Sequence, residues 1–324
     1  MARVYLGSRF PPEASARLDA GLADHDVVRP RPEDASASNL VAGAVDPRIA
    51  EADVVFGQPP PIALTGARAP KWVHLTSAGY TRYANADVAE ALRARGVRVT
   101  TSSTVFAEPC ATHALALLLA LSRQLPSASE RQHSDHAWPS AALRARSWIW
   151  PGRTIMVLGF GGIGRRLVEL LRPLGARIVV VRDRPRGDEG VATMDKTRAE
   201  EMLSEVDAVV STLPENASTR GFVDVTWLAA MRPHAFFVNV GRGVTVDQDA
   251  LTDALAAGRL GGAGLDVTEP EPLPPEHPLW TLPNVIITPH AAGGQIGEPL
   301  ALVDHFLANL VRFVRGEALV DQVI

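Results

Sequence analysis

The sequence predicts an α/β protein of two units, each built on a parallel sheet, and three observations lead there. Short β-branched runs alternate with Ala/Leu/Arg-rich helical stretches from the first residues onward, the pattern of βα units joined by crossovers. The alternation runs twice, broken after residue 108 by a long apolar helix and a polar, tryptophan-containing stretch. The 324 residues exceed what one core of ordinary size holds, and 46% hydrophobic with 21% charged residues is ordinary globular composition.

In the first series RVYLGS from Arg3 reads as a strand, EASARLDAGL from Glu13 as a helix, DVVFGQ from Asp53 and WVHLTSAG from Trp72 as strands. ADVAEALRARG from Ala86 follows as a helix and VRVTTSS from Val97 as a strand. Residues 108–125 are apolar on nearly every side, which predicts a helix buried between two bodies of protein. The second series places strands at 154–158, 177–182, 207–212, 235–240, 262–267 and 284–288. A last helix at 299–315 has its most economical place back on the first half, which makes that domain discontinuous: 1–103 plus 292–324, around 104–291.

The charge balance, 36 acidic against 32 basic residues and a net −4, argues against nucleic acid or an anionic membrane as a partner. The single cysteine, Cys110, excludes an internal disulfide and a zinc knuckle, and reads as a small buried hydrophobe. No metal site is expected. The amino terminus alternates like a strand and lacks a secretory pattern, and the apolar run 114–121 is too short to span a bilayer, so a cytoplasmic protein is expected.

The segment TIMVLGFGGIGRRLVELL carries GxGxxG as Gly159, Gly161 and Gly164, with Gly162 and Ile163 between them, after a strand and before a helix. The first glycine allows the tight turn, the second a close backbone approach to a pyrophosphate, and the third close packing of helix on strand. The helix's unpaired N–H groups then face the phosphates. Leu167, Leu170, Leu171 and Leu174 give the helix its apolar face, and Gly175 stops it. Counting on from Gly159, the place where an acid normally holds the adenosine ribose falls on Arg182, with Arg184 and Arg186 close behind. Guanidinium groups suit a 2′-phosphate, so NADPH is the expected preference and NADH a possible cofactor. Asp183 opposes this, since its carboxylate reaches the ribose if the loop is displaced.

Ligands of open α/β sheets bind at the carboxyl ends of the strands. The third strand of the second series delivers Thr212, Leu213 and Pro214, the fourth, ending at Val240, delivers Gly241, Arg242 and Gly243, the fifth Asp266, and the sixth Pro289 and His290. Reduction of a 2-keto acid needs a cation for the carboxylate, which the planar fork of Arg242 provides, and a proton donor for the developing alkoxide. His290 suits that task, held protonated by a carboxylate such as Glu271; Glu269 is the rival acid. His25, His133, His136, His277 and His305 are read as surface residues, and His74, His113 and His234 as structural or peripheral.

With the glycine loop, NVGRG, AGLDVTEPEPLP and NVIITPHAAGG in this order, the chain resembles the D-isomer-specific 2-hydroxyacid dehydrogenases, strongest from residue 150 to 294. The resemblance implies two Rossmann-like or flavodoxin-like domains with a deep cleft between them, a homodimer, and reduction of a small keto acid of the glyoxylate or hydroxypyruvate type. It puts the catalytic arginine on Arg242, the acid on Glu271 rather than Glu269, the histidine on His290, and the nicotinamide carboxamide on Asp266. LTSAGYTRY resembles the family's substrate loop, which implies carboxylate binding by backbone N–H groups at Ser77, Ala78 and Gly79. Where the family reads Ala-Glu-His, this chain reads Ala111-Thr112-His113. The chain ends at Ile324, which argues against the larger, serine-regulated phosphoglycerate dehydrogenases. Two other readings remain: an NAD(H)-sensing corepressor-like interaction protein of the same fold, against which the lack of an interaction tail speaks, and a formate- or phosphite-type enzyme, against which Glu271 speaks for formate.

Overall fold

The computed structural model describes residues 1–31, 33–36, 41–66, 68–187 and 189–324. It divides into two compact units, Met1–Phe106 with Gln295–Ile324, and Ala107–Gly294.

The first unit begins with β1 (Arg3–Leu6), α1 (Pro12–Gly21), β2 (Asp26–Val28), β3 (Val54–Phe56), β4 (Trp72–His74), α2 (Thr81–Ala84), α3 (Ala86–Ala94) and β5 (Arg98–Thr100). The five strands are parallel in the order β2-β1-β3-β4-β5. Val4, Val54, Val55, Phe56 and Val73 have no exposure, so both faces of the central strands are covered and their sequences are continuous apolar runs rather than alternating ones. The edge strand β2 is absent from the sequence reading: unlike the equally short β3, β4 and β5, it has no buried residue, and polar residues and prolines flank it.

α4 (Ser103–Ser122) starts in the first unit and continues in the second. By length and composition alone it is long and apolar enough to cross a membrane. Ala111, Ala114 and Leu118 are nevertheless fully buried, so it is a core helix. The second unit goes on through α5 (Leu125–His133), α6 (Ser140–Arg146), β6 (Thr154–Leu158), α7 (Gly162–Leu171), β7 (Arg177–Val181), β8 (Ala192–Met194), α8 (Lys196–Met202) and β9 (Ala208–Ser211). α9 (Val225–Ala230), β10 (Phe236–Asn239), α10 (Gln248–Ala256), β11 (Gly262–Leu265) and β12 (Val285–Ile287) complete it. Its seven strands, all parallel, run β12-β11-β10-β9-β6-β7-β8, so the strand order reverses between β6 and β9. On α7 the buried side is Gly164, Leu167, Val168 and Leu171. The expected Leu170 and Leu174 are only half-buried, and Val168 takes their place.

The chain then returns to the first unit as α11 (Glu298–Val314). The Phe306 ring stacks on Phe56 at 4.1 Å and on Trp72 at 5.5 Å, while Leu307 sits so close to Gly21 of α1 that a Cβ there would lie 2.5 Å from it. The last residues pair antiparallel with β5 through Thr100 and Gln322. His305, expected at the surface, lies with its side chain 12% exposed and 3.3 Å from Asp321.

The boundaries between the units fall three residues later than expected, at 106/107 and 294/295 instead of 103/104 and 291/292. The first shift follows from the start of α4, which the Asp321 carboxylate holds by accepting the Thr104 N–H at 2.8 Å. The second follows from Asp266, which accepts the N–H groups of Ala291 (2.8 Å) and Ala292 (3.1 Å) and so ties that loop to the second unit.

Candidate active site

The second sheet reverses its strand order where β6 and β9 lie side by side, and the glycine loop leaves β6 at that point. Gly159 turns with φ +93°, a conformation open to glycine, and a Cβ there would meet the Thr212 hydroxyl at 2.9 Å. A Cβ on Gly164 would lie 2.3 Å from the Gly159 carbonyl oxygen, so helix and turn pack backbone to backbone. At Gly161, by contrast, a Cβ would meet nothing within 4 Å, and no side chain caps the α7 N-terminus that starts there. Uncapped N–H groups behind an open approach fit a dinucleotide pyrophosphate. Thr212 donates to the Leu158 carbonyl at 2.9 Å, Leu213 is buried, and the Pro214 carbonyl accepts from Thr219 at 2.6 Å. Gly241 faces this segment so closely that a Cβ would lie 2.5 Å from the Leu213 carbonyl oxygen.

Arg182 follows β7 directly, its N–H on the Met194 carbonyl at 3.0 Å. Its guanidinium meets Glu189 at 3.0 Å, a partner the sequence reading missed. Asp183, Arg184 and Arg186 are exposed.

Val240, Gly241 and Arg242 leave β10 in a turn shaped by Asn239, which accepts the Gly241 N–H and donates to the Arg242 carbonyl, both at 3.0 Å. A Cβ on Gly243 would fall 2.0 Å from the Thr268 carbonyl oxygen, which is why the NVGRG turn needs that glycine against the acid-bearing loop. Arg242 uses Nη1 on the Gly241 carbonyl at 2.6 Å. Glu271 receives the Thr268 N–H on Oε1 at 3.1 Å and faces His290 Nδ1 with Oε2 at 2.9 Å. Burial pushes the Glu271 carboxyl up, but the hydrogen bond and charge of His290, the Thr268 N–H and the Arg242 charge outweigh it and hold the group below the usual carboxylate range. A carboxylate at Nδ1 fixes the proton there and leaves Nε2 for chemistry. Glu269, the rival acid, has its backbone N–H and carbonyl engaged by Gln248 at 2.9 and 2.7 Å and no contact with His290.

His290 takes φ +51°, a left-handed conformation uncommon for a side chain of this size. Its N–H bonds the Asp266 carbonyl at 2.8 Å, and the Asp266 carboxylate binds the two following N–H groups. Asp266 is 2% exposed and also accepts the Thr288 hydroxyl at 2.6 Å, which in turn lies 2.9 Å from His113 Nε2. Because Thr288 donates to the carboxylate, it accepts from His113. Read from the sequence as structural or peripheral, His113 has its partner 175 positions away, which leaves no local signal.

In the first unit Ser77, Ala78 and Gly79 follow β4. Ser77 donates to the Gly79 carbonyl at 2.6 Å and accepts from Gln58 at 3.0 Å, and its own carbonyl takes the Ser102 N–H at 2.9 Å. Gln58, 2% exposed, was not among the sequence candidates.

Residues 115–292 match the model of the D-isomer specific 2-hydroxyacid dehydrogenase NAD binding domain. The chain is 38% identical over 179 residues to an uncharacterized protein of Corynebacterium melassecola, covering 55% of this chain and 59% of that one. It is 34% identical over 238 residues to a glyoxylate reductase of Korarchaeum cryptofilum, covering 72% of this chain and 71% of the relative. Among solved structures, the NADPH-dependent glyoxylate/hydroxypyruvate reductase of Sinorhizobium meliloti, in complex with NADP and malonate, has a TM-score of 0.72 at 28% identity, over 99% of this chain and 96% of that one. The match to the NAD binding domain model covers more than half of the chain, and the chain belongs to the D-isomer-specific 2-hydroxyacid dehydrogenase family.

Proposed function

We propose that this protein reduces small 2-keto acids of the glyoxylate or hydroxypyruvate type to D-2-hydroxy acids. The observation that carries the reading is the 2.9 Å pair of His290 and Glu271, within reach of the Arg242 charge. When bound, the reduced nicotinamide cofactor supplies hydride to the carbonyl carbon. His290 gives the proton on Nε2 to the carbonyl oxygen, and Glu271 stabilises the imidazolium before transfer by accepting from Nδ1. Arg242 pairs with the substrate carboxylate and offsets charge developing at the oxygen. Backbone N–H groups at Ser77, Ala78 and Gly79 are assigned to the substrate carboxylate. Residues 159 to 164 hold the pyrophosphate, and residues 212–214, 240, 241 and Asp266 complete the cofactor's surroundings.

NADPH is preferred over NADH in this reading, with Arg182, Arg184 and Arg186 favouring the 2′-phosphate. The substrate is small and unphosphorylated. Of the two cations near that loop, Lys71 and Arg82, Lys71 is engaged by Asp53 at 2.9 Å at the opposite end of β4 from the Ser77 loop, and Arg82 lies 3.5 Å from the Gln58 side-chain oxygen and is the one that could serve a phosphate. A cytoplasmic homodimer completes the proposal. The relatives named as reductases give no support to the corepressor-like alternative.

The test is a panel of glyoxylate, hydroxypyruvate, a phosphorylated keto acid and a bulky aromatic keto acid, each with NADH and NADPH, with chiral analysis of the hydroxypyruvate product. A marked preference for the phosphorylated acid, or an L product, overturns the assignment.

A further inference from the structure

We infer that Glu189 limits the cofactor selectivity of this chain, acting as a fixed counter-ion that attenuates the pull of Arg182 on a 2′-phosphate. The inference rests on the reading of Arg182 as the residue nearest that phosphate and goes beyond it by naming the group that sets how strong the preference becomes.

Arg182 Nη1 lies 3.0 Å from Glu189 Oε1, and the side chains are 20% and 1% exposed. The carboxylate is not free to swing away. Oε1 also accepts the Arg186 N–H at 2.8 Å, and Oε2 accepts the Gly187 N–H at 2.8 Å. Three donors therefore fix one covered acid beside the guanidinium, and those hydrogen bonds hold Glu189 below the usual carboxylate range, so it stays ionised at neutral pH. A phosphate dianion arriving at Arg182 shares that cation with a carboxylate already in place, and repulsion between the two anions opposes part of the attraction. The exposed remainder of the loop adds charge of both signs, Arg184 and Arg186 against Asp183. A cofactor without the 2′-phosphate meets no such conflict. The arrangement yields a protein that accepts both cofactors with a shallow preference.

Calorimetric dissociation constants for NADP⁺ and NAD⁺, and for 2′-AMP against 5′-AMP, on the whole protein test this. Glu189→Gln keeps an acceptor oxygen for the loop N–H groups and removes the charge. The expected result is NADP⁺ and 2′-AMP bound about two- to fivefold more tightly, with NAD⁺ and 5′-AMP changed less than about twofold. Glu189→Met, which removes both charge and acceptor, is the second variant, and it is expected to move the ratio in the same direction. Arg182→Ala is expected to weaken NADP⁺ selectively. If Arg182→Ala has that effect while both Glu189 variants leave NADP⁺ unchanged or weaker, the inference is wrong and the reading of Arg182 stands. If Arg182→Ala leaves the NADP⁺ to NAD⁺ ratio unmoved, the 2′-phosphate reading itself fails and takes the inference with it.

Discussion

Oε2 of Glu271 lies 2.9 Å from Nδ1 of His290 while its other oxygen is held by the Thr268 N–H, so the acid orients the imidazole and is itself oriented. His290→Gln is expected to lower kcat about 100- to 10,000-fold, the usual range for loss of general acid catalysis. Glu271→Gln keeps the geometry and loses the charge, with an expected loss in kcat of at least about tenfold. The pH dependence has a definite sign. Glu271 is depressed in the folded state, so its pairing with His290 is present above the ordinary carboxylate pKa and is lost as pH falls through the lowered one. The acidic limb of the native rate profile should disappear in Glu271→Gln, and pH–rate profiles of both proteins check it.

Arg242→Lys retains the charge but not the planar fork. One Nη is already spent on the Gly241 carbonyl, which positions the rest of the guanidinium. The expected outcome is a higher KM and a lower kcat together, about tenfold or more in kcat/KM, read from steady-state kinetics. Kinetics equal to the native protein would remove the bidentate role.

Gly164→Ala forces a methyl group to within 2.3 Å of the Gly159 carbonyl oxygen. Backbone must move at the turn that shapes the phosphate site. A loss of about 1–3 kcal/mol in stability is expected, with weaker binding of both cofactors alike, measured by denaturant melts and calorimetry.

The parts of the site legible in the sequence were those that chemistry writes locally. The glycine spacing, NVGRG and the Pro-His pair each announce a turn at a strand end, and βα alternation places those ends on one edge. Interactions closed through space left no such trace: His113 with Thr288, Gln58 with Ser77, and Glu189 with Arg182 across a loop. The same holds in the fold. β2 and β8 are edge strands with no buried residue and no long apolar run, and on α7 the choice of Val168 over Leu170 depends on which sheet surface the helix meets.

His74 is fully buried between Thr100 at Nδ1, 2.7 Å away, and Ser102 at Nε2, 3.3 Å away. Burial, reinforced by His305 and opposed by Asp321, lowers its pKa from 6.5 to about 3. The unfolded chain therefore takes up a proton that the folded one refuses, and stability falls as pH drops from 6.5 toward about 3. The slope from this group is about 1.4 kcal/mol per pH unit. In His74→Gln, denaturant melts across that range should show a slope flatter by about one proton.

Phe306→Ala removes the ring stacked between Phe56 and Trp72. A cost of about 3–5 kcal/mol is expected in urea unfolding, with the transition of the first unit lowered.

That ring also bears on how the protein is made. The first five strands leave the ribosome early, but α11, which covers Phe56 and Trp72, is encoded after the whole of Ala107–Gly294. Domains generally fold as units during synthesis, and at about 5–20 residues per second the intervening segment takes about 9–40 seconds to translate. Throughout that interval the strands of the second unit are still being added while the first waits with an aromatic face uncovered. The nascent chain is thus most exposed to chaperones and to aggregation through its oldest part, and synthesis of α11, rather than emergence of the amino-terminal sheet, sets when that sheet closes.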